Sequence, residues 1–386
     1  MAAVLDALAG REPVQVEGRG TKWTMLRPVQ AARRLSVRNL EGITLHSPGE
    51  LIVSARAGTT VAELEAVLAS KGQGLIAEPP DLSALLGTEG AQTIGGVVAC
   101  NLSGPRRIAE GATRDHVMGL RAINGAGELI RSGGRVLKNV TGLDLCKLLS
   151  GSHGTLGVLT EVTLKVLPIA ELTGSLVFPG LDAGRAVGVL SAALGSPFGV
   201  SGAAWLPAGA AARAAGLEGH GAAALVRIEN FAPSVDYRLG RLVDLLAAFG
   251  TPVRLEHEAS LAVWRAVRDA TVLEVGGGDA VWRVSMRPSA GPGVVAAVEA
   301  AGARCFLDWG GGLAWVSGPP ATHDAVVAAA VAGRGIWTVM RGPGAMRAAV
   351  DVVPPEPAAL ARITRRVKAA MDPAGLLNPG RMFAGV

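Results

Sequence analysis

Four glycine-rich segments constrain this chain more than any other feature. They are Glu17-Gly18-Arg19-Gly20-Thr21-Lys22-Trp23, the run from Gln92 to Arg107, Gly151-Ser152-His153-Gly154-Thr155-Leu156-Gly157, and the closing Asn378-Pro379-Gly380. Glycine admits positive φ and lets another group approach bare backbone, at an entropic cost on folding. A fold that keeps four such segments must hold them between regular elements. The sequence around them supplies elements of both kinds, so an α+β architecture is expected.

Leu51–Ala55 reads as a strand. After Gly58, Thr60 and Glu63 stand at capping-box spacing, and Val61, Leu64, Val67 and Leu68 mark the buried stripe of a helix that Gly72 stops. Val117–Ile123 and Glu128–Arg131 flank Asn124-Gly125-Ala126-Gly127, a hairpin-like turn. Val158, Thr160, Val162, Leu164 and Val166 alternate with Leu159, Glu161, Thr163 and Lys165, the pattern of a strand ending at Pro168.

The pattern changes near Glu171. Strands are expected near Leu225–Glu229 and at Val281–Arg287, Arg304–Trp309 and Leu313–Ser317. A helix is expected from Ser234 to Phe249, with Leu239, Leu242, Val243 and Leu246 on one face. The proline-rich stretch from Asp351 to Pro357 reads as a linker to a last helix, about Ala358 to Met371, with Leu360, Ile363, Val367 and Met371 on its apolar stripe. This divides the chain into residues 1–170, 171–340 and 341–386. No period of 20 to 50 residues marks a solenoid.

Several function classes fall away. The longest apolar stretch, Ala325 to Ala332, is far below the roughly 18 residues of a membrane span. Met1 to Gly10 lacks a basic start and carries Asp6, so no signal peptide is expected and the cytoplasm is the expected compartment. Cys100, Cys146 and Cys305 are widely spaced, which argues against a disulfide framework, a zinc site or an iron–sulfur site. The net charge of +5 comes from scattered residues without aromatic interleaving, so nucleic acid is not an expected partner.

Each glycine segment admits a cofactor reading beside a plain one. In Glu17–Trp23 the two glycines can turn successive N–H groups into one concavity for phosphate oxygens, with Arg19 and Lys22 adding charge; a basic surface turn is the plain alternative. The spacing is not that of a P-loop. Gly95, Gly96, Ala99, Ser103 and Gly104 leave no bulky side chain between backbone and a flat ligand, or else pack a helix start tightly. The Gly151–Gly157 loop and the Asn378 turn are equally open to both readings. Gly72-Gln73-Gly74 with Ala77 fits a dinucleotide fingerprint on paper, but it follows a helix and Pro79-Pro80 prevents another.

In order along the chain, Ala55-Arg56-Ala57-Gly58, Thr93-Ile94-Gly95-Gly96, Gly154-Thr155-Leu156-Gly157-Val158-Leu159-Thr160-Glu161 and Asp372-Pro373-Ala374-Gly375-Leu376-Leu377-Asn378-Pro379-Gly380 resemble the PCMH-type FAD-binding fold of the vanillyl-alcohol oxidase superfamily. Ser103-Gly104-Pro105-Arg106-Arg107, Arg114-Asp115 and Lys138-Asn139-Val140-Thr141-Gly142-Leu143-Asp144-Leu145 resemble, within it, the smaller FAD-binding (E) subunits of bacterial glycolate oxidases. The likeness is dense from about residue 15 to 168, returns from 350 to 386, and is thin between.

The resemblance implies a two-subdomain FAD-binding domain with a smaller α+β cap, and it implies site residues. Arg19, Gly20, Thr21 and Lys22 would approach the FAD pyrophosphate. Thr93, Gly95, Gly96, Cys100, Asn101, Leu102, Ser103 and Gly104 would line the pyrophosphate and the ring system. Gly154, Gly157 and Val158 would offer backbone, and Asn378 would touch the flavin. Neither His nor Cys falls in Glu17–Trp23, so FAD is expected to be non-covalent.

Related enzymes that oxidise 2-hydroxy acids carry a His-containing metal motif in the second domain. His220, His257 and His323 lie far apart here, so no metal and no catalytic residue is assigned. The expected role is a companion flavoprotein in a glycolate-oxidising complex, with a larger FAD-binding catalytic subunit and an iron–sulfur subunit as partners and glycolate as the small-molecule substrate. Any attachment to the inner face of the membrane would run through those partners. Two rivals stay open: a self-sufficient FAD oxidase of another hydroxy acid or alcohol, whose second domain would supply a base such as His257 or Arg265, and a scaffold that has kept the fold without the flavin.

Overall fold

The computed structural model describes residues 2–134 and 143–386. Its strands run β1 (Val14–Glu17), β2 (Arg33–Ser36), β3 (Ile43–Ser47), β4 (Ile52–Arg56), β5 (Gln73–Leu75), β6 (Val117–Ile123), β7 (Leu129–Gly133) and β8 (Val158–Pro168). They continue with β9 (Leu172–Pro179), β10 (Gly202–Leu206), β11 (Ala223–Asn230), β12 (Val253–Leu255), β13 (Ala280–Ser285), β14 (Arg304–Asp308), β15 (Leu313–Gly318) and β16 (Ile336–Arg341).

The alternating strand β8 is the spine of the first sheet. It pairs antiparallel with β4, β6 and β5, in the order β3-β4-β8-β6-β7 with β5 on β8. Register explains which face is dry. Ala55, Val162 and Leu120 share one face and are buried, and the helices Val61–Ala69 and Ile94–Cys100 pack on that side. The other face carries Arg121 against Glu161 and Ser54 against Thr163, so it can meet water. Thr60 caps its helix as expected, accepting from the Glu63 amide at 3.1 Å, but Val67 is only half-buried. At the Asn124 turn the side-chain oxygen accepts from the Ala126 and Glu128 amides, which fixes the hairpin. Gln73-Gly74-Leu75 is a strand, which removes the fingerprint loop.

β1 and β2 form a short parallel pair that the alternation did not announce. The C-terminal tail closes on it: the Val14 amide donates to the Leu376 carbonyl at 2.8 Å, and the Asn378 amide to the Val14 carbonyl at 3.0 Å. The last helix, Ala358–Met371, ends where expected, yet Leu360 and Ile363 on its stripe are exposed. Its buried member is Lys368, whose Nζ donates to Asp372 and to the carbonyls of Thr155 and Leu377. Those bonds tie the tail to the third glycine segment.

The second sheet, antiparallel in every pairing, has the order β12-β9-β11-β10-β14-β15-β13-β16 and is the wider of the two. Register puts Arg227, Phe306, Asp308, Trp315 and Arg283 on one face. That face looks toward the first sheet: Arg227 ion-pairs with Glu78 at 2.8 Å, and Arg106 with Glu229 at 2.6 Å. Burial works against ionising these two carboxylates, but the facing arginines hold both below the usual carboxylate range. Glu78 takes positive φ just before Pro79, a strained geometry that the ion pairs hold in place. The Trp309 indole adds a hydrogen bond to the Gly104 carbonyl at 3.1 Å.

Candidate functional site

The four glycine segments converge on one open cleft, about 770 Å³ when the solvent at its mouth is counted. Arg19, Gly20, Thr21 and Lys22 line one side. Thr93, Gly95, Gly96 and Cys100 come from the start and end of the helix Ile94–Cys100, Gly154, Gly157 and Val158 from the loop into β8, and Asn378 from the tail. The Asn378 side chain ties the tail to β1 and to the third segment, accepting from the Val16 amide at 2.8 Å and donating to the His153 carbonyl at 2.8 Å.

The bare positions do different jobs. A Cβ on Gly96 would meet only the Thr93 hydroxyl at 3.2 Å and the end of Lys22 at 3.9 Å, so this backbone is open to the cleft. A Cβ on Gly95 would fall 2.6 Å from that of Ala57, so that glycine seats the helix against the sheet as well. Gly20 and Gly154 have φ of +78° and +72°, and a side chain on Gly154 would press on Asn378. His153 and Asn378 are themselves at positive φ, a concentration of strain around one cleft.

The electrostatics call for an anion. Among the described residues Lys22 Nζ reaches only neutral oxygens, Gln92 Oε1 at 3.1 Å and the Thr21 hydroxyl at 3.3 Å, and burial pulls its ammonium below the usual range. Arg381 donates to the carbonyls of Lys22, Trp23 and Arg27 and has no carboxylate partner among the described residues; burial brings it down to about 10. Burial raises the Cys100 thiol, against the pull of Lys22 and Arg381. His153 is held neutral, its pKa lowered to about 3 by burial and then by Arg381 and Arg283, and its Nδ1 is buried with no hydrogen-bond partner among the described residues. Cationic groups, open backbone and an orphaned ring nitrogen fit a ligand with both phosphate and a flat heteroaromatic ring.

Four expected residues do not line the cleft. Leu102 lies in the core, because the chain turns inward at Asn101, the left-handed cap of the helix. The Asn101 side chain accepts from the Arg114 amide, the Ser103 hydroxyl accepts from the Thr113 amide, and Gly104 lies where a Cβ would strike the Glu78 carbonyl. Of the four, Gly104 packs at the seam between the sheets, its carbonyl accepting from the Trp309 indole. Of the Lys138–Leu145 stretch, residues 138–142 lie outside the described residues; Asp144 caps the helix Leu145–Leu149. His257, weighed as a base, accepts from the Thr173 amide at 3.0 Å, outside the cleft.

Arg381, Ala57 and His153 belong to the cleft but carry no expectation as ligands from the sequence. Arg381 follows the Asn378-Pro379-Gly380 turn directly, a basic residue beside a glycine turn that could have flagged it. No group of three or more His, Cys, Asp or Glu able to hold a metal ion occurs among the described residues.

Comparison with known proteins gives the same outline. A family profile described as an FAD binding domain matches residues 1–133. The chain is 33% identical over 381 residues to the glycolate oxidase subunit GlcE of Escherichia coli (strain K12), covering 99% of this chain and 95% of that protein. It is 38% identical over 125 residues to the glycolate oxidase subunit GlcD of Bacillus subtilis (strain 168), covering 32% of this chain and 26% of that one. In fold it is similar to 4-ethylphenol oxidase from Gulosibacter chungangensis, with a TM-score of 0.71 at 12% identity over 98% of this chain and 86% of the other.

Proposed function

The chain belongs to the family of the glycolate oxidase subunit GlcE, with its FAD binding domain, and from that premise we propose that it is the FAD-carrying companion subunit of a glycolate-oxidising complex. FAD is the cofactor and oxidoreduction the class of chemistry. The observation that carries the reading is the convergence of four separate glycine segments on one cleft in which Lys22 and Arg381 have no carboxylate partner among the described residues.

Lys22, Arg19 and the backbone of Gly20 and Gly96 would hold the pyrophosphate. Val158, Gly154, Gly157 and Asn378 would seat the ring system. Neutral His153 would offer a ring nitrogen to the heterocycle without adding charge. Bound FAD would supply the redox chemistry, while these residues position it and exclude water. Asn101, Leu102, Ser103 and Gly104 act behind this layer, orienting Thr113, Arg114 and the seam.

FAD is proposed to be non-covalent although Cys100 and His153 line the cleft, since burial keeps the thiol protonated and so weakly nucleophilic. The working division is residues 1–170 and 341–386 for the cofactor part and 171–340 for the cap, supported by the separate sheets and by the tail's bonds to β1. A larger flavoprotein subunit and an iron–sulfur subunit are the proposed partners. No helix among the described residues is long and apolar enough to cross a membrane; a cytoplasmic site, or one at the inner face of the membrane through the partners, is part of the proposal.

The test is the visible spectrum of the purified chain, then acid precipitation, then glycolate added to a fresh sample. A flavin spectrum released into the supernatant, unbleached by glycolate, supports the companion role. Bleaching by the isolated chain would make it a self-sufficient oxidase, and a chain that takes up no FAD even beside its partners would be a scaffold.

A further inference from the structure

The last helix, Ala358–Met371, carries more apolar surface than this chain covers. Lys368 is the one buried residue of its 14, while Leu360 and Ile363 are exposed, Ile363 by 56%. A helix of this length has little stability of its own in water, so an apolar stripe on it calls for a cover. The stripe instead walls a groove of about 950 Å³ when the solvent at its mouth is counted. Ile363 and Val367 form one side, Leu148 and Leu156 another, and Met382 and Phe383 of the tail close it. Leu148 belongs to the short helix Leu145–Leu149, so the groove lies between two helices.

The rim is cationic. Arg362, Arg365 and Arg366 on the long helix and Lys147 on the short one are exposed. Arg366 follows Ile363 by three positions and Arg362 by four, so Arg362 and Arg366 border the apolar stripe on the helix surface. Among the described residues the ion pair of the long helix is Lys368 with Asp372, and neither these three arginines nor Lys147 has a carboxylate partner. Glu356, the one carboxylate lining the groove, already accepts from the Thr364 hydroxyl at 2.8 Å. An apolar recess with an unpaired cationic rim is complementary to an apolar stripe edged by acidic residues.

We propose that the groove between the helices Ala358–Met371 and Leu145–Leu149 is the docking site for an acidic amphipathic helix of a partner subunit. A second copy of this chain, bound about a two-fold axis, would set the same arginines against themselves. A lipid surface does not reach into a recess formed by the half-buried Leu156, Val367, Met382 and Phe383. The long helix is also tied to the cofactor cleft, since Lys368 Nζ donates to the carbonyls of Thr155 at 2.7 Å and Leu377 at 2.9 Å. An occupant of the groove would therefore brace the third glycine segment and the tail. The proposal rests on the reading above only in taking the chain to be a subunit, and not on what fills the cleft.

The test is fluorescence anisotropy of three labelled designed helices titrated with the purified full chain. One has a leucine stripe edged by Glu, one the same stripe edged by Lys, and one a Glu-edged stripe of Ala. Flavin content is read from the visible spectrum of the same sample. The Glu-edged leucine helix should bind, less tightly as ionic strength rises, and the other two at least about 10-fold more weakly. Ile363→Asp should weaken binding roughly 10- to 100-fold. Arg366→Glu should weaken it roughly 3- to 10-fold and raise affinity for the Lys-edged helix. Both positions are exposed, so both variants should keep native circular dichroism.

Binding unchanged in Ile363→Asp and Arg366→Glu, or equal binding of the Glu-edged and Lys-edged leucine helices, would overturn the assignment. So would a dimer in sedimentation velocity that Ile363→Asp dissociates, which gives the groove to a second copy. Co-sedimentation with phosphatidylglycerol vesicles that Ile363→Asp abolishes would overturn it in favour of a membrane surface. If Ile363→Asp fails to fold, Ile363→Ser and the charge reversal at Arg366 decide. A chain that takes up no FAD yet binds the Glu-edged helix with this dependence would refute the cofactor reading and keep this one. A flavin-loaded chain, unbleached by glycolate, that binds none of the helices would do the reverse.

Discussion

Replacing Asp308 by Asn should change the pH dependence of stability with a sign opposite to that of most acidic residues. Burial pushes the Asp308 carboxyl up to about 7, against the pull of the Trp309 amide and of Arg227, from an ordinary value of 3.8. Below pH 4 both folded and unfolded chains keep the proton and the group costs nothing. Between pH 4 and 7 the unfolded chain releases it while the folded chain holds it, so stability falls as pH rises; above 7 the loss is complete. The shift is about three units, and each unit is about 1.4 kcal/mol, so the loss approaches 4 kcal/mol as an upper bound. Asn keeps the acceptor for the Trp309 amide and removes the titration. His153 slopes the other way, since burial lowers it to about 3 and stability then rises between pH 3 and 6.5, so the informative quantity is the difference between Asn variant and wild type. Urea unfolding at pH steps from 4 to 8 should give curves within about 1 kcal/mol of each other at pH 4, with the variant roughly 2–4 kcal/mol more stable at pH 8. Parallel curves across that range would refute the burial argument.

Gly96→Trp should abolish flavin content and leave a folded chain, because the new side chain enters the cleft where only Thr93 and Lys22 stand; full flavin absorbance with native circular dichroism would sink the site assignment. Lys22→Met should weaken FAD roughly 10- to 100-fold and flatten the salt dependence of binding, checked by flavin fluorescence at two ionic strengths. Arg227→Met leaves Glu78 and Glu229 short of a partner at the seam, which should cost about 3–5 kcal/mol and lower the melting temperature by on the order of 10 °C in a thermal scan.

Local patterns were legible wherever one element buries one face. The alternation of Val158–Pro168 predicted β8 to the residue, and Thr60 with Glu63 marked a helix start, because pleat and cap are set by neighbours in the chain. The stripe on Ala358–Met371 was legible as a helix but misleading about burial. Periodicity reports which residues share a face and not what covers it, and here Leu360 and Ile363 stay exposed while Lys368 is buried. The expected face Leu239, Leu242, Val243 and Leu246 fails only at Val243, which is exposed. Four of the eight cap strands, β9, β10, β12 and β16, had no signal. β10 is all buried, and such runs lack the alternation that identifies a strand.

From the residues alone came the α+β class, the glycine segments and the choice of an anionic, flat cofactor as one of two readings for each. Those follow from backbone freedom and charge, which a residue carries wherever it is placed. Only the tertiary structure decided between the readings, by bringing Lys22, Gly96, Gly154 and Asn378 to one cleft and turning Asn101 to Gly104 away from it. Only it added Arg381 and set Arg107 and Arg283 on the same indole. The physical reason is that an unpaired charge is a property of its surroundings. Arg106 and Arg107 are neighbours in sequence, and the fold gives one a carboxylate and leaves the other facing a second arginine.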